Sequence, residues 1–156
     1  SLLLHTVNLH PGEVLYLPAG NIHAYLEGLG IELMASSDNV LRGGLTPKHV
    51  DVPELLKVLD FRPAPAPYLA AQELEDGVRA FRPPVPDFEL TVVSRAAAER
   101  GVEVRLGGPA IVLCTDGAVT IEGGPSVGRG QAVFVADEQW LGIRGAGTVF
   151  VASTGE

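Results

Sequence analysis

The sequence predicts an all-β fold built from jelly-roll barrels, one partial and one C-terminal, with one short helix. Most of the chain consists of short stretches rich in Val, Ile, Leu and aromatic residues, separated by turns that contain glycine or proline. A weak internal repeat indicates that the β-structure is arranged as two related domains. The candidate strands are residues 3–9, 14–18, 23–26, 31–36, 88–94, 102–106, 110–115, 118–122, 131–136, 140–144 and 148–153.

Turn dipeptides mark the ends of these strands. Pro11-Gly12, Gly107-Gly108 and Gly123-Gly124 each follow or precede an apolar stretch. Asp116-Gly117 lies between two candidate strands and predicts a hairpin, because a primed turn needs residues that tolerate positive φ.

One helix is predicted between residues 51 and 60. Asp51 is a suitable N-cap, and Pro53 falls in the first turn, where its missing N–H costs little. An apolar stripe follows, and the prolines from Pro63 onward end the helix because the residue before proline avoids the α region. The stripe consists of Leu55, Leu56, Val58 and Leu59.

The internal repeat sets the expected domain boundaries. Residues 11–23 resemble residues 129–141 in the order of a glycine, an alternating apolar stretch and a turn. Six prolines fall between residues 61 and 86, which is typical of an extended connector. We therefore expect a first domain at 1–60 that includes the helix, a proline-rich connector at 61–87, and a second β-domain at 88–156.

The composition excludes several classes of protein. The 11 Lys and Arg residues against 19 Asp and Glu give a net charge of −8, which excludes a general nucleic-acid binder because phosphate contacts need a basic face. The single cysteine, Cys114, excludes an internal disulfide framework, and its apolar neighbours predict a buried thiol. With no apolar run long enough to span a membrane and no evident signal peptide, we expect a cytoplasmic protein with no membrane partner.

A metal-binding pattern lies in the first domain. The spacing of Gly12, Pro18, Gly20 and His23 resembles the second sequence motif of the cupins. In that motif the strand ends at the proline, the second glycine reverses the chain, and His23 points into the barrel, where neutral imidazole can bind a metal. The repeat at 129–141 lacks the proline, the second glycine and the histidine, so the second domain is expected to be cupin-like without metal ligands.

The stretch from residue 23 to residue 48 concentrates the polar and ionisable side chains. Its sequence is HAYLEGLGIELMASSDNVLRGGLTPK. Gly28 and Gly30 favour a hairpin that places His23 and Glu32 on adjacent strands. Arg42 and Lys48 are the cations best placed to hold a phosphate or an enediolate oxygen.

This stretch resembles the C-terminal signature of the type I phosphomannose isomerase family. It agrees with that signature at every fixed position except Gly43, where the family usually has alanine. The resemblance is strong over residues 9–60 and looser beyond residue 80. It implies a zinc-dependent aldose–ketose isomerase that interconverts mannose 6-phosphate and fructose 6-phosphate through an enediol intermediate.

The resemblance also implies roles for individual residues. His23 is expected to be one zinc ligand, Arg42 a catalytic cation, and Glu32 a catalytic carboxylate. Lys48 and Tyr25 are expected to line the site and bind the sugar-phosphate substrate.

The zinc site implied by the family is incomplete in this chain. The family's other ligands are a Gln and a His close together and then a Glu, all upstream of the matched signature, and no such Gln-x-His occurs here. We therefore expect residues 1–60 to be the C-terminal part of a catalytic cupin domain, and the missing N-terminal portion of the same protein to be the partner. The chain alone is expected to be inactive, because one protein ligand cannot replace four.

Less specific interpretations stay open for each residue. His23 taken alone suits a hydrogen-bonded structural histidine, Arg42 an ordinary solvated charge, and Tyr25 a packed residue with a satisfied hydroxyl. Glu32 suits a half-exposed strand, Lys48 suits an ordinary solvated charge, and Asp38-Asn39 suits a turn. Trp140, Phe134 and Phe150 are predicted to lie in the core of the second domain. The alternative function is a catalytically inactive cupin-like module that binds a sugar or has a structural role.

Overall fold

The computed structural model describes residues 4–37, 40–136 and 138–155. The chain divides into two compact units, Ser1–Leu69 and Ala70–Glu156. The turn expected at Asp38-Asn39 lies outside the described residues.

The first unit contains the predicted helix. Helix α1 spans Val52–Val58, and the side chain of Asp51 accepts a hydrogen bond from the Glu54 amide at 3.0 Å. The predicted cap is therefore confirmed, while the helix ends two residues before Asp60 because Leu59 is extended, with ψ 134°. Leu55 is the one buried large apolar side chain among the described residues of this unit.

The strands predicted in the first unit do not form among its described residues. Among residues 4–37 and 40–69 the one β-type pairing is an isolated bridge between Leu15 and Tyr68. Hydrogen bonds from Tyr16 N–H to the Pro67 carbonyl (3.0 Å) and from Leu69 N–H to the Val14 carbonyl (2.8 Å) support it. A strand needs a neighbour that takes up its backbone N–H and C=O groups, and the other extended segments find none here.

The second unit is an eight-stranded antiparallel sheet with one helix. Its strands run in the order β1-β2-β3-β8-β5-β6, while β4 also pairs with β8 and β7 with β5. The elements are β1 (Gln72–Glu75), β2 (Val78–Phe81), β3 (Glu89–Val93), helix α2 (Arg95–Arg100), β4 (Val102–Arg105), β5 (Ala110–Ile121), β6 (Ser126–Gly128), β7 (Ala132–Val135) and β8 (Trp140–Ser153).

The hairpin predicted at Asp116-Gly117 is wrong. The chain runs straight through these residues within β5, which pairs with β8 along most of its length and has an irregularity between Cys114 and Asp116. Gly117 has φ 64°, and a Cβ there would collide with the carbonyl oxygen of Ala146 on β8. The glycine therefore permits close backbone approach inside a long bulged ladder instead of a reversal.

Helix α2 corrects the prediction of a single helix. The Ser94 hydroxyl accepts a hydrogen bond from the Ala97 amide at 3.3 Å, and Gly101 ends the helix with φ 80°. Ala97 and Ala98 are fully buried. The alanine-rich sequence between a serine cap and a glycine favours a helix, but its shortness makes the periodic signal weak.

Two strands lie in the segment predicted as a connector. β1 and β2 form a hairpin through Gly77, and β2 continues the sheet onto β3. The proline-free part of the segment between residues 68 and 82 thus contributes an edge of the second unit's sheet. The short strand β6 was not predicted, because it has three residues and lies between glycine-containing turns.

The core of the second unit is aliphatic. Val112, Val149 and Val151 are fully buried or nearly so, and Cys114 is buried as predicted. The prediction that Trp140 and Phe134 lie in the core is wrong, since they are 56% and 65% exposed; Phe150 is half-buried. Side chains alternate along a strand, and the inward positions belong to their neighbours Leu141, Val135, Val149 and Val151. No helix among the described residues is long and apolar enough to cross a membrane.

Candidate functional site

The chain leading to His23 is held by a turn beside the end of α1. Asn21 N–H donates to the Pro18 carbonyl at 3.2 Å, and Asp60 N–H donates to the Gly20 carbonyl at 3.0 Å. Gly20 has φ 84°, and a Cβ there would lie 2.8 Å from the Val58 carbonyl oxygen. A glycine is required on both counts, which is the physical reason for this position of the motif.

One nitrogen of the His23 imidazole forms a hydrogen bond with the backbone. Its Nδ1 lies 3.1 Å from the backbone carbonyl oxygen of Asn21. In the tautomer that makes this hydrogen bond, Nδ1 is the donor and Nε2 carries a free lone pair. The ring is exposed, and no strand among residues 4–37 and 40–69 surrounds it, so these residues do not by themselves form the barrel into which it is expected to point.

Tyr25 joins His23 to Glu32. The Tyr25 hydroxyl donates to Oε1 of Glu32 at 2.7 Å, and the rings of His23 and Tyr25 meet edge to face with centroids 6.0 Å apart. Partial desolvation of the phenol, followed by the hydrogen bond and charge of Glu32, raises the pKa of Tyr25 to about 12. The phenol therefore stays protonated at neutral pH, and the three side chains predicted for the site form one contiguous cluster.

Arg42 is half-buried and makes no hydrogen bond or ion pair with the described part of the chain. Its neighbour Gly43 packs against Ile22, the residue before His23: a Cβ at Gly43 would lie 2.7 Å from Ile22 Cδ1 and 3.9 Å from Leu55 Cδ2. This contact joins the residue after Arg42 to the residue before His23, and the Arg42 side chain itself has no hydrogen bond or ion pair with His23, Tyr25 or Glu32. Alanine at position 43 would require the end of the Ile22 side chain to move.

Lys48 is not joined to this cluster. Its backbone N–H donates to Thr46 Oγ1 at 3.2 Å, and its exposed side chain has no partner within residues 4–37, 40–136 and 138–155. Leu45 upstream adopts φ 55°, an unusual conformation for a residue with a side chain.

Sequence reasoning missed the groups that position the cluster. The Asn21 carbonyl engages His23 through the backbone, which every residue has, so no sequence signal identifies it. Ile22 and Leu55 pack around Gly43 and carry only the ordinary signal of apolar residues. The hydrogen bond from Tyr25 to Glu32 connects two residues of the predicted hairpin. Their positions on its two strands were the one sequence signal for this contact.

The cluster offers a metal ion too few donors for a complete site. His23 offers Nε2, but no group of three or more His, Cys, Asp or Glu side chains that could hold a metal occurs among the described residues. Zinc requires about four ligands. The described residues therefore fit one ligand of a zinc site and do not fit the whole site.

No protein-family model matches the chain, but individual relatives do. The mannose-6-phosphate isomerase of Escherichia coli (strain K12) is 38% identical over 151 residues, which covers 94% of this chain and 38% of that protein. Mannose-6-phosphate isomerase 2 of Arabidopsis thaliana is 36% identical over 146 residues, 92% of this chain and 33% of that protein. The chain thus spans about a third of the length of the curated relatives it matches.

Solved structures agree with the sequence comparison. The apo form of mannose 6-phosphate isomerase from Salmonella typhimurium matches with a TM-score of 0.65 and 30% identity, over 79% of this chain and 32% of that one. A zinc-bound structure of mannose 6-phosphate isomerase matches with a TM-score of 0.63 and 29% identity, over 76% and 31%. By sequence and by fold, the chain is homologous to the phosphomannose isomerases, which have the cupin fold, over about a third of those proteins' length.

Proposed function

We propose that this chain is the C-terminal portion of a zinc-dependent mannose-6-phosphate isomerase, which interconverts mannose 6-phosphate and fructose 6-phosphate through an enediol intermediate. The observation that carries the proposal is the cluster of His23, Tyr25 and Glu32 inside a chain homologous to such isomerases.

The spacing of two residues in solved relatives supports the same assignment. Among the Salmonella typhimurium structures are variants in which a histidine or a glutamate is replaced by alanine, and those two positions lie nine residues apart. His23 and Glu32 are also nine residues apart here. We propose that these residues correspond.

The reaction moves a proton between C1 and C2 of the sugar. In the proposed roles, the Glu32 carboxylate removes the proton from C2 of the aldose, and the electron pair of that C–H bond forms the C1–C2 double bond while charge develops on the C1 oxygen. The Arg42 guanidinium stabilises that oxygen, and it has no competing partner among the described residues. The O2 proton is transferred to the charged C1 oxygen, and Glu32 returns the proton that it removed from C2 to C1. These two transfers give the ketose, so no oxidant or reductant is consumed.

Lys48 is proposed to bind the substrate's phosphate. An ammonium on a flexible side chain suits a phosphate of two negative charges, and no described carboxylate neutralises it. Tyr25 lines the same site through its contacts with His23 and Glu32.

Zinc is the proposed cofactor, shared between this chain and a complementary portion. His23 supplies one ligand through Nε2, and the others come from the portion that the relatives have and this chain does not span. Because the described residues do not complete a zinc site, no step of the reaction is assigned to the metal here.

The first test is turnover of mannose 6-phosphate by the assembled enzyme, meaning this chain together with the complementary portion. We expect His23→Ala and Arg42→Ala each to lower kcat/KM by about 100-fold or more, because each removes a group that acts on the reacting atoms. His49→Ala is the matched control, since His49 is exposed and makes none of these contacts. Undiminished turnover in either site variant contradicts the proposal.

A second candidate function is a catalytically inactive cupin-like module that binds a sugar or has a structural role. It is favoured by the lack of three or more metal-ligating side chains in one group among the described residues. The two candidates differ in what the complementary portion does to metal binding.

Calorimetry with zinc discriminates between them. For the isomerase, we expect weak binding by the chain alone and stoichiometric binding by the assembled enzyme, reduced by His23→Ala, because metal affinity depends on the full ligand set. Chelation of the assembled enzyme should then abolish turnover. Binding that is unaffected by His23→Ala supports the inactive module.

A further inference from the structure

The hydroxyl group of Tyr25 is already engaged within the site. It donates to Oε1 of Glu32 at 2.7 Å. A phenol has one proton to donate, so Tyr25 in this arrangement can offer a substrate only the lone pairs of its oxygen. The geometry therefore argues against a role as a hydrogen-bond donor to the sugar.

The ring of Tyr25 makes a second, separate contact. Its plane lies at 75° to the imidazole of His23, with centroids 6.0 Å apart, which is the edge-to-face arrangement that aromatic rings prefer. The imidazole is held on another side by the Asn21 carbonyl. Tyr25 thus lies between the imidazole and the carboxylate and contacts each through a different part of its side chain.

We propose that Tyr25 is a positioning residue that fixes the Glu32 carboxylate relative to the His23 imidazole; the proposal rests on the proposed function of this site. Glu32 is exposed, and an exposed glutamate samples several rotamers. The hydrogen bond to Oε1 selects one of them and leaves Oε2, which has no hydrogen-bond partner among the described residues, as the oxygen that exchanges a proton with the sugar.

This role differs from substrate binding in the kinetic parameter that it controls. A group that binds substrate and transition state equally changes KM, whereas one that orients a catalytic group changes kcat. If Tyr25 only stabilised the fold, its substitution would lower the amount of folded enzyme and leave KM unchanged. That loss would be the same whether or not Glu32 is also substituted.

The test measures isomerisation of mannose 6-phosphate by the assembled enzyme. Tyr25→Phe keeps the ring against His23 and removes only the hydroxyl, so we expect kcat to fall about tenfold and KM to change less than about twofold. Tyr68→Phe is the matched control, because Tyr68 is also exposed in the same unit and its hydroxyl has no hydrogen bond to a described residue. We expect it to leave both parameters unchanged.

A double-mutant cycle tests whether Tyr25 acts through Glu32. In a Glu32→Gln background, Tyr25→Phe should lower kcat by less than about twofold, because the group that it orients is no longer a carboxylate. The proposal is overturned if the kcat reductions of the two single variants multiply in the double variant. It is also overturned if Tyr25→Phe raises KM and leaves kcat unchanged.

A spectroscopic measurement separates this proposal from the proposed function. In the 156-residue chain, Tyr25→Phe should shift the side-chain NMR signals of Glu32, while Tyr68→Phe should not. Tyr25→Leu should in addition shift the ring signals of His23. An inactive assembled wild-type enzyme overturns the proposed function, whereas unshifted Glu32 signals overturn the positioning role whatever the activity.

Discussion

At the scale of single residues, glycines with the same backbone conformation have different importance. Gly117 and Gly123 have φ 64° and 71°. A Cβ at Gly117 would collide with the Ala146 carbonyl oxygen, whereas a Cβ at Gly123 would meet nothing within 4 Å. Gly117 is therefore required both by its positive φ and by the close approach of the β8 backbone, whereas Gly123 is required by its positive φ alone.

Alanine substitution should separate these two constraints. Gly123→Ala carries only the conformational penalty, so we expect a loss of about 1 kcal/mol in the free energy of unfolding. Gly117→Ala adds a backbone collision inside the β5–β8 ladder, and we expect a loss of about 3 kcal/mol or more. Urea denaturation followed by circular dichroism measures both, and equal losses would contradict the assigned contact.

At the scale of elements, one ion pair links the end of β2 to the start of β3. Glu89 on β3 is 3% exposed, and its Oε2 accepts from Arg82 Nε at 2.8 Å. Arg82 also donates to the side chain of Gln72 on β1. The arginine is 40% exposed, so it covers a buried carboxylate from the solvent side.

Removal of the arginine should cost more than removal of a surface partner. Arg82→Met leaves the Glu89 carboxylate buried without its counter-ion, and we expect a loss of about 2 kcal/mol in stability, below the range for fully buried pairs because Arg82 is partly solvated. Arg95→Met is the control, since Arg95 forms pairs with Glu99 and Asp116 that are about half exposed on both sides. There we expect a loss of about 0.5 kcal/mol or less. Similar losses for both variants would show that Glu89 does not depend on Arg82.

The two helices show when a capping residue is enough to predict a helix from the sequence. Asp51 caps α1 as its residue type predicts, and Ser94 caps α2 in the same way. The difference is that α1 has an apolar stripe long enough to recognise, whereas α2 has six residues and buries two alanines. A cap is therefore a sufficient sequence signal only when a periodic stretch follows it.

At the scale of the whole molecule, the two units differ in how much they bury. Leu55 is the one buried large apolar side chain that the structure shows in the first unit, while the second unit has an extended aliphatic core. Large apolar side chains such as Leu26 and Leu45 are 80% and 99% exposed in the first unit. Burial of apolar surface is the main source of stability, so the units should differ in resistance to opening.

Hydrogen exchange should show this difference directly. We expect the amides of β5 and β8 to exchange only on global unfolding of the second unit, because they are paired on long ladders over the core. Described amides of residues 4–37 should exchange orders of magnitude faster. Uniform protection across both units in the 156-residue chain would contradict this expectation, and added protection of the first unit in the assembled enzyme would support the proposed complementary portion.

The sequence by itself determined the β-rich class, the cap of α1, the burial of Cys114 and the family resemblance, because each depends on residue type or on spacing along the chain. It also identified His23, Tyr25 and Glu32 as candidates, although only the three-dimensional structure shows the hydrogen bond between Tyr25 and Glu32.

Only the tertiary structure decided which way the strands face and where they continue. β5 passes through an Asp-Gly pair that locally favours a reversal, because its long ladder with β8 outweighs the turn preference. Trp140 and Phe134 face outward because their alternating neighbours fill the core. The extended segments described in residues 4–37 and 40–69 form no sheet, since pairing depends on partners distant in sequence, which local patterns do not specify.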